Sequence, residues 1–151
     1  MKKFLFLLLC ISCVAVKAQQ KQIQYLSGTD AKRTVQWDFF CTAGRNSGEW
    51  KKIEVPSCWE QQGFGNYNYG RDYKTDGKNF RFYDEQGMYK YQFKVPASWK
   101  GKNINIVFDG SMTDTEVKIN GKSAGETHRG AFYRFKYDIS SLLFFDKPNT
   151  L

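Results

Sequence analysis

From Tyr89 to Val95 the chain alternates without a break, with Tyr89, Tyr91, Phe93 and Val95 on one side, Lys90, Gln92 and Lys94 on the other, and Pro96 ending the run. A period of two belongs to a β-strand with one packed and one wet face, because successive side chains point to opposite sides of the pleat. The pattern recurs along the chain. Val35, Trp37, Phe39 and Cys41 share a face, and Ile53 and Val55 share one in a segment that starts at Trp50 and stops at Pro56, where a ladder donor is missing. Ile104, Ile106 and Phe108 repeat it, as do Thr115, Val117 and Ile119, and again Tyr133, Phe135, Tyr137 and Ile139 against Arg134, Lys136 and Asp138. Asn120-Gly121 predicts a two-residue hairpin turn, since both residues tolerate positive φ. A short helical turn is expected between Asp138 and Leu143, capped by Asp138 or Ser140, and Asn149 to Leu151 reads as the start of a strand. Six or so short antiparallel strands, each with one apolar face, require a second sheet to cover them. The expected class is all-β, a two-sheet sandwich. A chain of 151 residues fits one domain, and its 13 Phe, 9 Tyr and 4 Trp can fill a core and argue against disorder.

The N-terminus is read separately. Lys2 and Lys3, the apolar run from Phe4 to Val16, and Val16-Lys17-Ala18 follow the order of a secretory signal, so residues 1–18 are expected to be removed and the protein exported to the periplasm or the exterior. The apolar run is too short for a membrane span, which takes about 20 residues. A lipid-modified Cys13 is the alternative, with Ser12 before it but Cys10 where Leu is usual. Residues 19–34 are polar and without period, a mobile leader or an entry arm, and residues 35–151 form the domain proper. Removing residues 1–18 takes away three of the 23 basic residues and none of the 15 acidic ones, which leaves a net charge of +5. Lys90, Lys94, Lys118, Lys122 and Lys136 stand singly between apolar residues, the pattern of solvated strand faces, so no nucleic-acid partner is expected. With one His and no Cys-x-x-Cys after residue 18, no metal site is expected, and no cofactor is called for. Cys41 and Cys58 are open to two readings, a disulfide or a pair of core thiols.

Residues 57–87 break the regularity. They carry Trp59, Phe64, Tyr67, Tyr69, Tyr73, Phe80, Phe82 and Tyr83 among glycines, amides and charges, with no clean period. Connections of this length inside a compact domain are uncommon and often functional.

Motifs spread over nearly the whole of residues 37–151 carry a resemblance. Glu49-Trp50-Lys51-Lys52-Ile53-Glu54-Val55-Pro56-Ser57-Cys58-Trp59-Glu60 is followed by Gly63-Phe64-Gly65, Phe108-Asp109-Gly110 and Val117-Lys118-Ile119-Asn120-Gly121. Gly125-Glu126-Thr127-His128-Arg129-Gly130-Ala131-Phe132 and Tyr137-Asp138-Ile139-Ser140 come next. In this order and spacing they resemble the N-terminal domain of family 2 glycoside hydrolases, the β-galactosidase group. The resemblance implies a jelly-roll sugar-binding domain, similar to galactose-binding modules, which precedes an immunoglobulin-like domain and a (β/α)8 barrel. It also implies that the catalytic carboxylates lie on the barrel, where the acid/base Glu directly follows an Asn. This chain has no Asn-Glu dipeptide. It is therefore expected to be a fragment, incomplete at the C-terminal end of the sandwich and inactive alone, with carbohydrate and the missing domains as its partners. A free-standing carbohydrate-binding module and a purely structural support domain are the other readings.

The candidate sugar contacts are Tyr67, Asn68, Tyr69, Arg71 and Asp72, because flat ring faces beside amides and charges suit pyranose faces and hydroxyls. The resemblance implies one polar side chain reaching the sugar pocket from this connection, matched by Asn68 in one alignment and Arg71 in another. Glycoside hydrolysis needs two carboxyls on opposite sides of the bond, and Asp72, Asp76, Asp84 and Glu85, standing among Arg71, Lys74, Lys78 and Arg81, read better as solvated loop charges. No catalytic residue is assigned. Trp59 reads as a cap on the core and His128 as a turn residue hydrogen-bonded to backbone. Gly63-Phe64-Gly65 lacks the third glycine of a phosphate loop.

Overall fold

The structure is a computed structural model, and it describes residues 20–66 and 84–151. Eleven strands and no α-helix occur among these residues. β1 (Val35–Cys41) is the centre of a three-stranded antiparallel sheet, flanked by β2 (Trp50–Val55) and β3 (Gly87–Lys90). The register pairs Trp37 with Ile53 and Phe39 with Tyr89. The inward face therefore holds Trp37, Phe39, Cys41 and Ile53, all buried, and Phe64 closes over them.

The remaining strands enclose a second core. β4 (Gln92–Phe93) pairs with β11 (Asn149–Thr150), and β5 (Asn105–Phe108) pairs with β10 (Phe135–Asp138). β6 (Asp114–Thr115) pairs with β9 (His128–Arg129), and β7 (Lys118–Ile119) with β8 (Lys122–Ser123). All pairings are antiparallel. Phe93, Val95, Ile104, Ile106, Val117, Ile119, Ile139 and Leu143 fill this core. Each fully buried side chain of this size contributes about 1.5 to 3 kcal/mol. Leu26, Tyr91 and Leu151 touch both cores and join them.

The expected Asn120-Gly121 turn joins β7 to β8, with φ of 53° and 79°. The expected helical turn is a 3-10 turn at Ser140–Leu142, and Asp138 Oδ1 accepts from both the Ser140 N–H (2.9 Å) and its hydroxyl (2.6 Å). The segment before β1 is tied down. Leu26 O accepts from the Trp37 indole at 3.0 Å, the Gly28 N–H donates to Val55 O at 3.0 Å, and the Gln24 amide donates to Lys94 O at 3.0 Å. Leu151 exchanges two 2.9 Å backbone bonds with Tyr91, extending the β4–β11 ladder.

Four expectations are corrected. Tyr133 does not join the inward face of β10, being 56% exposed. Its ring turns back over Gly130 and its hydroxyl donates to Arg129 O. Tyr89 lies in the inward register of β3 yet is 40% exposed, because that strand edges the sheet. His128 is held by rings and not by a backbone bond. It stacks on Phe135 at 3.7 Å and meets the edge of Tyr133 at 4.9 Å, and its Nε2 is buried without a hydrogen-bond partner. Cys41 and Cys58 are both free, and only Cys41 is a core thiol, since Cys58 is exposed.

Candidate functional site: the neck of the long connection

All five sequence-predicted sugar contacts, Tyr67, Asn68, Tyr69, Arg71 and Asp72, lie outside the described residues, as do Asp76 and residues 1–18. What the structure places is the base from which their segment leaves and to which it returns. Three stretches converge there: residues 42–46 after β1, residues 63–66, and residues 84–86 before β3.

Glycine and amide chemistry builds this neck. Gly63 (φ 87°) ends the 3-10 turn Trp59–Gln62, a backbone conformation that costs a β-carbon little only when there is none. Arg45 then clamps Gly65 at two points, its carbonyl accepting from the Gly65 N–H and its Nε donating to Gly65 O, each at 2.9 Å. The Asn46 amide donates to Gly63 O at 2.9 Å and accepts from Lys51 Nζ at 2.9 Å. Across the neck, Thr42 and Gln86 exchange two bonds, of 3.0 and 2.8 Å.

Glu85 is half-buried in this frame. Its Oε1 accepts the Asn66 N–H at 2.8 Å, and its two oxygens lie 2.7 and 2.8 Å from where β-carbons on Gly44 and Gly65 would stand. A carboxylate fits only because both positions are glycine. The charge is thereby committed to holding the start of the connection, while Asp84 beside it is exposed. Among the described residues no group of three His, Cys, Asp or Glu could hold a metal ion.

The 3-10 turn beneath the neck is fastened to the sheet edge by Gln62. Its amide accepts from the Glu54 N–H at 3.0 Å and donates to Glu54 O at 2.9 Å, taking the place of a neighbouring strand. Trp59 lies on Gly87, whose added β-carbon would stand 2.0 Å from the indole, and meets Phe39 edge-on at 5.4 Å. It caps the core, as the sequence predicts. Tyr89 closes the cluster, 4.7 Å from Phe39. Burial, then the charge of Glu60, raise its phenol well above the ordinary value.

Arg45, Asn46, Gln62 and Glu85 are the residues that sequence reasoning missed as the frame of the connection. The available signal was the spacing of Gly44, Gly63 and Gly65, which marks where backbone and side chains approach most closely.

The fold places the chain among all-β sandwich domains. The profile of the family described as "Glycosyl hydrolases family 2, sugar binding domain" matches residues 30–148, and the chain belongs to this family. A beta-galactosidase of Bacteroides ovatus is 29% identical over 108 residues, covering 72% of this chain and 12% of that protein. A beta-glucuronidase of Bacteroides fragilis is 26% identical over 147 residues, 97% of this chain and 18% of that one. Among solved structures, a calcium-binding mutant of Bacteroides uniformis beta-glucuronidase 2 superimposes with a TM-score of 0.59 at 28% identity, over 87% of this chain and 14% of the other. The beta-D-glucuronidase of Dictyoglomus thermophilum gives a TM-score of 0.59 at 21% identity, over 89% and 19%, a likeness of fold. The chain thus spans less than a fifth of the length of these relatives. No helix among the described residues is long and apolar enough to cross a membrane.

Proposed function

We propose that this chain is the sugar-binding and support domain of an exported, β-galactosidase-like glycoside hydrolase, and that residues 67–72 are its carbohydrate contact. The observation that carries this reading is the neck: a family-2 sugar-binding domain whose long connection leaves from a frame held by Arg45, Asn46 and Glu85. A recognition loop is useful only if its ends are fixed, because ordering a loose one costs affinity. Tyr67, Tyr69, Asn68, Arg71 and Asp72 supply the ring faces, amide and charges that sugars need. The resemblance to this family implies that the bond-cleaving carboxylates lie on a barrel elsewhere in the parent enzyme. The packing of Trp59 on Gly87 and Phe39 favours this reading over a free-standing module, which would present Trp59 with Tyr67 and Tyr69 as an open platform.

The test is made in the parent enzyme. Tyr69→Ala and Arg71→Ala should lower kcat/KM on chromogenic galactosides or glucuronides while leaving the melting temperature nearly unchanged. Phe108→Ala and Ile119→Ala should instead destabilise by about 2 to 5 kcal/mol. Equal thermal losses in all four variants, with no separate kinetic effect, would make the connection structural. Residues 19–151 alone should turn over none of these substrates, and exported protein should begin at Gln19 by mass spectrometry. An intact Met1 or a lipid on Cys13 would refute the export step.

A further inference from the structure

The outward face of the β2–β1–β3 sheet carries a surface of rings and charges drawn from the strands on either side of the connection in sequence. Because Trp37, Phe39, Ile53 and Tyr89 take the inward register, the alternate residues Asp38 and Phe40 of β1, Trp50 and Lys52 of β2, and Met88 and Lys90 of β3 point outward. Phe40 pairs directly with both Trp50 and Met88, so an indole, a phenyl ring and a thioether form one row across three strands. Trp50 is 46% and Met88 43% exposed. The next row is charged. Asp38 pairs with both Lys52 and Lys90, and Lys52 Nζ takes its carboxylate at 2.6 Å. Lys90 has no carboxylate partner among the described residues. Its ammonium sits 4.1 Å over the Trp50 ring instead.

We propose that this row is a binding platform for an acidic saccharide, a pyranose bearing a carboxylate such as a uronic acid residue, which stacks on Trp50 and pairs with Lys90. The apolar face of a pyranose and an indole are matched in size and flatness, and a row of exposed Trp50 and Met88 with half-buried Phe40 between them on a sheet offers that contact without ordering a loop. The charge pattern selects the ligand. Asp38 satisfies one of the two lysines, which leaves Lys90 as the uncompensated cation of the row. An exposed cation over an aromatic face is weakly held, so a carboxylate can draw the ammonium to the ring edge and free the indole for the sugar. A neutral sugar would have to displace Lys90 with nothing to pair it. The platform is independent of the 67–72 contact and can fail while that reading holds.

The test uses the full chain, trigalacturonate as the acidic probe and cellotriose as the neutral control, read by tryptophan fluorescence and by NMR titration of the indole N–H signals. Trigalacturonate should bind with millimolar or better affinity. Binding should weaken about tenfold or more in Trp50→Ala and in Lys90→Gln, the latter keeping the sheet intact, and should persist in Tyr69→Ala. Raised salt should weaken it further. Equal binding of cellotriose, unchanged binding in both platform variants, or no binding up to about 10 mM probe would overturn the proposal. So would a concentration-dependent dimer in sedimentation that Trp50→Ala abolishes, since the row would then be an interface between copies.

Discussion

The side-chain amide of Asn120 donates a 2.8 Å hydrogen bond to Oδ1 of Asn149, which is fully buried. The same Oδ1 accepts the Phe144 N–H at 2.7 Å, and Asn149 Nδ2 donates to Phe144 O at 2.8 Å. Asn120 also donates to Leu142 O at 2.8 Å and accepts the Thr150 N–H at 2.9 Å. Two asparagines thus link the β7–β8 turn, residues 142–144 and β11. In a buried setting such a network stabilises only while every member is satisfied.

Asn149→Ala should therefore lower the unfolding free energy by about 3 kcal/mol, since it leaves the Phe144 N–H and carbonyl and one Asn120 amide hydrogen without this partner. Asn120→Gly keeps the positive φ of the turn and loses only the side-chain bonds, so it separates the two roles of that residue. Urea denaturation of both single variants and the double variant should show strong non-additivity. Additive losses would mean that the two amides act separately.

Gly87→Ala should destabilise by about 2 kcal/mol or more, because the new methyl would stand 2.0 Å from the Trp59 indole and 2.7 Å from the Phe39 ring. Gly101→Ala has open space around it and a φ of 78°, so it should cost only about 1 kcal/mol in backbone strain. Thermal melts of the two variants give the ranking, and an equal loss would show that Trp59 is free to move off the sheet.

Tyr89 makes the alkaline side of stability testable. Its phenol is held above the ordinary value of 10.0 by burial and by Glu60. The folded chain therefore favours the neutral form, and this stabilisation is fully present below about pH 10 and falls as the unfolded chain begins to ionise above it. Ultraviolet difference titration of wild type against Tyr89→Phe should show this phenol ionising above the ordinary value of 10.0. Ionisation of this phenol near pH 10 would contradict that upward shift.

On the acid side, three carboxylates are held below their ordinary values by hydrogen bonds. Asp30 accepts chiefly from the Lys32 N–H and the Arg33 guanidinium, Glu54 from Thr34 and Gln36, and Asp138 from the Ser140 hydroxyl and N–H. Their contribution is present above about pH 4 and is lost as the pH falls through the lowered values. Denaturation midpoints between pH 5 and 2 should decline less steeply in Asp138→Asn than in the wild type, the variant being already weaker at neutral pH. An identical slope would mean that the Ser140 bonds are not maintained in solution.

The alternation of Trp37, Phe39 and Cys41, of Phe93 and Val95, of Ile104 and Ile106, and of Val117 and Ile119 was enough to name the buried faces, because a strand's side-chain period is two whatever surrounds it. Asn120-Gly121 declared its turn for an equally local reason, the tolerance of both residues for positive φ. Tertiary structure decided whatever depends on neighbours brought in from elsewhere. It left Tyr89 40% exposed despite its inward register, because β3 edges the sheet, and it turned Tyr133 back over Gly130. It turned Glu85 from a loop charge into the anchor of Asn66, because Gly44 and Gly65 leave room for its oxygens. It also set Trp50, Phe40 and Met88 in one row, since residues from three strands share a face only through their register. Period is written in consecutive residues, whereas register and close approach arise only when distant segments meet.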